Sequence, residues 1–140
     1  MISVTQMQFL VNIDVDNLEK AARFYQSSFG LKVGRHFGTN GVEMLGGSTP
    51  INLLIKAAGT APASLKVDVR SYERHWTPVH LDFVVEDIES AVQKALNAGA
   101  KLEGSVTTYS WGKLALMADP FGHGFCFLQF LGRGYNEIAE

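Results

Sequence analysis

His80 and Asp82 stand two residues apart in the run VHLDFVV, where Leu81, Phe83 and Val85 alternate with them. That alternation is strand periodicity, so the imidazole and the carboxylate share one face of an extended segment. Cys126 is the single cysteine of the chain and is set among Phe125, Phe127 and Phe130. A histidine brought against a thiol supports two chemistries. The imidazole can take the thiol proton and make a nucleophile pair. Alternatively the two form half of a soft metal site, to which Asp82 could lend a third donor. Each residue also has a plainer reading. A histidine that faces a cavity can simply hydrogen-bond a neighbour, and a free cysteine among aromatic residues is commonly a small buried hydrophobe. The sequence does not set the distance between them.

A wider set could contact a ligand. Asn12 and Asp14 alternate with Val11, Ile13 and Val15, and Asn52, Leu54 and Lys56 share a face of a later segment. Arg35 could meet an anionic group or stand as a solvated edge charge. Trp111 offers a flat stacking platform or a packing anchor, as does Trp76, and Phe130 shares the face of Cys126. Apolar walls with a few polar groups suit a small organic molecule.

The elements that must position these residues follow from an internal repeat. FLVNIDVDNLE at 9–19 corresponds to VHLDFVVEDIE at 79–89, with Leu18 and Ile88 seventy residues apart, half the chain length of 140. Each copy reads as a strand and then a helix. Asp16 is expected to start the first helix with Glu19 as its capping-box partner. Leu18, Ala21, Ala22, Tyr25 and Phe29 make its apolar stripe, and Ile88, Ala91, Val92 and Ala95 make that of the second. Gly30 and Gly99 sit at the expected C-terminal glycine positions. Strands are then expected over 31–37, 41–45 and 51–56, and over 101–109, 113–118 and 124–130, separated by turn residues. The unit is βαβββ, used twice. The fold class is therefore α+β: a first module over 7–57, a linker over 58–78 with a short strand possible at 65–69, and a second module over 79–131, in a single domain over 1–140. The mixed charges of Lys66, Asp68, Arg70, Glu73 and Arg74 read as a solvated face, and the tail from Gly132 as peripheral.

Composition narrows the function classes. The 140 residues are 46% hydrophobic and carry a net charge of −2. No basic excess exists to neutralise a phosphate backbone, so nucleic acid is not an expected partner. No leader or membrane-length apolar run is read in the sequence, so a membrane partner is not expected and a cytoplasmic location is.

Three segments resemble the vicinal oxygen chelate superfamily of glyoxalase I, bleomycin-resistance proteins and extradiol dioxygenases. They are VDNLEKAARFY at 15–25, HLDFVVEDI at 80–88 and DPFGHGFC at 119–126. The resemblance implies two βαβββ modules whose curved sheets enclose a cleft, and chains that pair as homodimers. In metal-dependent members it implies four ligand positions, which fall here on Leu10, Asn52, His80 and Cys126. Only His80 matches the pattern; leucine has no lone pair and asparagine is a weak neutral donor. No cofactor is therefore expected, with a divalent metal as the alternative. The function expected is cleft binding of a partly apolar or aromatic small molecule. The alternative is a metal-dependent lyase or isomerase of the glyoxalase type, ahead of a ring-cleaving dioxygenase.

Overall fold

The computed structural model describes residues 6–61 and 68–140. The first module runs β1 (Val11–Val15), α1 (Leu18–Phe29), β2 (Lys32–Phe37), β3 (Gly41–Leu45) and β4 (Ile51–Ile55). The second runs β5 (Leu81–Val84), α2 (Ile88–Asn97), β6 (Lys101–Leu102), β7 (Thr107–Tyr109), β8 (Gly112–Ala118) and β9 (Gly124–Phe130), followed by a 3-10 turn at Gly134–Glu137. The repeated βαβββ plan and the α+β class are thus observed, as two mixed sheets that do not close into a barrel. The first sheet is ordered β1-β4-β3-β2 and the second β5-β9-β8-β6, with β7 also on β8.

The repeat is preserved in strand register. β1 runs parallel to β4 and β5 parallel to β9, so each module pairs its first strand with its last. Asn12 faces Asn52 across the first pair, and Asp82 faces Cys126 across the second.

Two local expectations change. The N-cap of α1 is Asn17, not Asp16: its backbone is extended and its side chain accepts from the Lys20 amide at 3.0 Å. Asp87, seventy residues on, caps α2 in the same way through the Ser90 amide. Glu19 instead pairs with Arg23 one turn along. The expected strand over 101–109 is broken into β6 and β7, because the chain turns at Gly104 with φ +88°. Asp68 and Val69 are irregular, and the rest of the possible strand at 65–69 lies outside the described residues.

The helices pack on one face of the sheets. α1 buries Ala21, Phe24 and Tyr25, and α2 buries Ile88, Ala91, Val92 and Ala95. Against them pack Val42, Met44 and Leu53 of the first sheet and Ala115, Met117, Phe125 and Phe127 of the second. One core therefore serves both modules. Phe29 at the end of α1 crosses the boundary and stacks on Phe83 of β5, with centroids 4.0 Å apart and planes 18° from parallel. An aromatic pair of this kind contributes about 0.5–1.5 kcal/mol beyond its buried area.

Candidate functional site

The described parts of the linker, 58–61 and 68–78, are fastened to both modules. Arg70 donates to the Asp14 carboxylate at 2.7 Å and to Thr60 and the Ala61 carbonyl. Tyr72 donates to the Lys56 carbonyl, and Arg74 pairs with Glu103. The expected solvated face therefore includes two arginines that fasten the linker to both modules, and their side chains are only 17% and 30% exposed.

The DPFGHG turn before β9 joins the modules. Buried Asp119 accepts from the Phe121 and His123 amides on one oxygen and from the Tyr25 hydroxyl of α1, at 2.8 Å, on the other. Burial, then the Asp119 charge, raises the Tyr25 phenol well above its ordinary value. The His123 ring reaches the Asp14 carbonyl at 2.7 Å, and His75 bridges to the same turn. Gly122 adopts φ +84°, and a Cβ there would lie 2.5 Å from the Glu73 carbonyl oxygen, so the linker passes directly over this turn.

These fastenings bring the edges of β1 and β5 together around a groove of about 370 Å³. Its walls are apolar, from Val11, Ile13, Val79, Leu81, Phe83 and Phe125, and Asn12, Thr77, His75, His80 and His123 add polar groups. Trp76 stands beside it. Its ring is 4.7 Å from that of His80, and a Cβ on Gly124 would lie 2.5 Å from its indole carbons. Gly124 thus lets the indole lie flat on the start of β9 and against the imidazole.

His80, Asp82 and Cys126 do meet. Their donor atoms all lie within 4.8 Å of one another, and His80 Nε2 is 3.3 Å from Asp82 Oδ1. Cys126 is 2% exposed and forms the floor of the cluster. Burial first, then the charge and hydrogen bond of Asp82, pushes its thiol up to about 12. A thiol in that setting is held neutral, whereas a nucleophilic cysteine needs a cation or base that lowers its pKa.

The corresponding face of the first module carries a polar row. Asn52 donates to Asn12 Oδ1 at 3.0 Å, which leaves Asn52 Oδ1 buried and unpaired. Next to Asn52 across the sheet is Glu43, 5% exposed and clamped by Arg35 at 2.8 and 3.1 Å. Arg35 holds the Glu43 carboxyl below its ordinary range. The guanidinium is thus already committed to a carboxylate of its own chain. Sequence reasoning missed Glu43. The available signal was one carboxylate in the apolar strand GVEML, one hairpin away from the single arginine of β2.

Trp111 and Phe130 lie elsewhere. Trp111 stacks on Tyr109 at 5.5 Å with planes 2° apart, and also packs against Phe130 and Tyr135. Tyr135 belongs to the 3-10 turn, so the C-terminal segment is packed onto β8 and β9 through this aromatic cluster. Trp76, not Trp111, is the indole beside the groove.

The four superfamily ligand positions do not fit a metal. Leu10 is apolar and 62% exposed, and the Asn52 amide is turned to Asn12. His80 and Cys126 are left as the two donors of that set.

Among the described residues no helix is long and apolar enough to cross a membrane. The glyoxalase-like domain family matches residues 10–128. Uncharacterized protein Mb0911c of Mycobacterium bovis is 42% identical over 63 residues, 44% of this chain and 39% of the relative. Uncharacterized protein Rv0887c of Mycobacterium tuberculosis matches at the same identity over 35% of its length. The match with these curated relatives thus spans well under half of their length. Among solved structures, the fosfomycin resistance protein FosX of Listeria monocytogenes superposes with a TM-score of 0.71 at 13% identity, covering 98% of this chain and 100% of that one. A glyoxalase/bleomycin resistance protein/dioxygenase family enzyme of Burkholderia phytofirmans gives 0.64 at 18% identity, covering 87% and 97%. These likenesses agree with the paired βαβββ modules described above, and with the family match they make the chain a member of the glyoxalase-like family within the vicinal oxygen chelate superfamily.

Proposed function

We propose that the protein binds a small, partly aromatic organic molecule in the groove between β1 and β5, without the four-position metal set of its superfamily. The observation that carries this reading is the groove itself. Two strands that are sheet edges among the described residues are held beside each other by the Arg70–Asp14, Tyr25–Asp119 and His123–Asp14 contacts, and the space between them is lined by apolar side chains with a few polar groups. A volume of about 370 Å³ falls in the range of small-ligand pockets, roughly 300–1,000 Å³. Phe83 and Phe125 offer aromatic contact, and His80 and Asn12 can fix the orientation of a polar handle.

Trp76 is the natural reporter. In a Trp111→Phe variant treated with chelator, its emission is expected to respond saturably to members of a panel of aromatic carboxylates and amides. Val79 is 85% exposed, so Val79→Trp narrows the groove without disturbing the core, and calorimetric titration of that variant should show no binding. A panel that leaves Trp76 emission unchanged counts against the reading. The chain also works as a homodimer in this proposal, supported by the exposed apolar Met7, Phe9 and Leu10, and sedimentation velocity tests that.

A further inference from the structure

We propose that a second cavity at the module boundary binds a small protonated amine that carries an apolar body and a hydroxyl group. The cavity lies between the C-terminal end of α1, the turn at 46–48 and the stretch from β5 into α2, and measures about 550 Å³. That volume suits a small molecule, whose pockets span roughly 300–1,000 Å³. Phe83 is the one wall residue shared with the groove between β1 and β5, so this site does not depend on that groove binding a ligand.

Polarity is graded from floor to rim. Ser28 stands at the buried end, 4% exposed, on the inward stripe of α1. Its hydroxyl has no hydrogen-bond partner among the described residues. A buried hydroxyl left unpaired is destabilising, and a ligand group that pairs with it recovers the loss. Phe29, Leu31, Ile51 and Phe127 supply the apolar wall, and Glu86 and Asp87 are exposed at the rim.

The charges select a cation. Asp82, Glu86 and Asp87 line the cavity against one ammonium, that of Lys94. Asp82 already pairs with His80, whereas Asp87 commits only one carboxylate oxygen, to the Ser90 amide. Lys94 stands seven residues along α2 from Asp87, about 10 Å at the helical rise, so it leaves the carboxylate end uncompensated. The start of α2 does not act as an anion site either. Its Ile88, Ser90 and Ala91 amides are taken by the Gln129 side chain, the Asp87 carboxylate and the Asp87 carbonyl.

Tyramine has the required parts, with its ammonium and phenolic hydroxyl at opposite ends of an aromatic body. Calorimetric titration of the full chain, and of Val79→Trp to set the other groove aside, should show saturable one-to-one binding. Backbone amide NMR should shift Gly47, Glu86 and Ser90 and leave Val11 and His75 unmoved. The anionic analogue 3-(4-hydroxyphenyl)propionate should bind about 10-fold more weakly or less. Glu86→Gln combined with Asp87→Asn, which keeps a capping side chain at 87, should weaken tyramine by at least about 3-fold. Ser28→Ala should lower tyramine affinity to that of 2-phenylethylamine, which lacks the hydroxyl, and leave 2-phenylethylamine binding unchanged. Its Tm should not fall, because that hydroxyl has no bond to lose. Gly47 lies outside the left-handed region, and a Cβ there meets only the Thr49 carbonyl oxygen at 3.5 Å, so Gly47→Phe should fold, fill the mouth and abolish binding. Absence of tyramine binding, equal affinity for the anionic analogue, shifts confined to the β1–β5 groove, or parental tyramine affinity in Ser28→Ala would overturn the proposal. None of these results bears on the Trp76 emission response, so the two readings fail separately.

Discussion

The Tyr25 hydroxyl of the first module and the Asp119 carboxylate of the second meet in the core at 2.8 Å, ninety-four residues apart in sequence. Asp119 also accepts two backbone amides of the turn that leads to β9. One buried carboxylate therefore organises the turn and ties α1 to it. The same turn presents His123 to β1 and starts the strand that ends the groove.

Tyr25→Phe tests that tie. It keeps the ring, its edge contact with Phe24 and its burial, and removes the hydroxyl alone. A hydrogen bond to a charged acceptor contributes about 1.5–3 kcal/mol. Urea unfolding should show a loss in this range with an unchanged m-value. A loss under about 0.5 kcal/mol would place the inter-module coupling elsewhere.

Acid stability carries the mark of Glu43. Its carboxyl titrates below its ordinary value because Arg35 hydrogen-bonds the charged form. The folded state therefore favours the ionised carboxylate. That contribution is fully present above the unfolded value of about 4.3, and it is lost as pH falls below it through the folded value. Glu43→Gln should flatten the decline of Tm between about pH 5 and pH 3 relative to the parent. An identical decline in both proteins would show that Glu43 and Arg35 are not coupled in solution.

The Cys126 thiol is raised to about 12 by burial and by Asp82. The thiolate is the reactive species, so alkylation of the chelated native protein by iodoacetamide should be very slow at pH 7–8 and should still be accelerating at about pH 10. Urea should restore the ordinary rate. Fast alkylation of native protein at neutral pH would instead favour a nucleophilic role beside His80.

Much of this architecture is legible in the sequence, because the half-length repeat and period-two alternation fix the strands, the helices and the faces on which His80, Asp82, Asn12 and Asn52 stand. The pairing of Asp82 with Cys126 is not legible, since parallel register between the first and last strands of a module depends on everything folded between them. The same holds for Glu43 and Arg35. A lone arginine reads as solvated until the β2–β3 hairpin brings a carboxylate beneath it. Pro78 and the charged run before it mark Trp76 as a linker residue. What puts it against His80 is the bare backbone of Gly124, forty-eight residues away. The shift of the α1 cap from Asp16 to Asn17 is a choice between adjacent residues of similar capping ability, and it falls on Asn17, whose backbone is extended and whose side chain reaches the Lys20 amide.

The most direct test of the central claim maps binding onto the groove. Backbone amide NMR of the chelated protein, with the strongest aromatic hit from the fluorescence panel, should shift Val11, Val79, His80 and Leu81 in a saturable manner and leave Tyr109 and Tyr135 unmoved. The Val79→Trp protein should show none of these shifts. Saturable shifts centred on the Tyr109–Trp111–Tyr135 cluster, or shifts that persist unchanged in Val79→Trp, would contradict the assignment of the groove as the binding site.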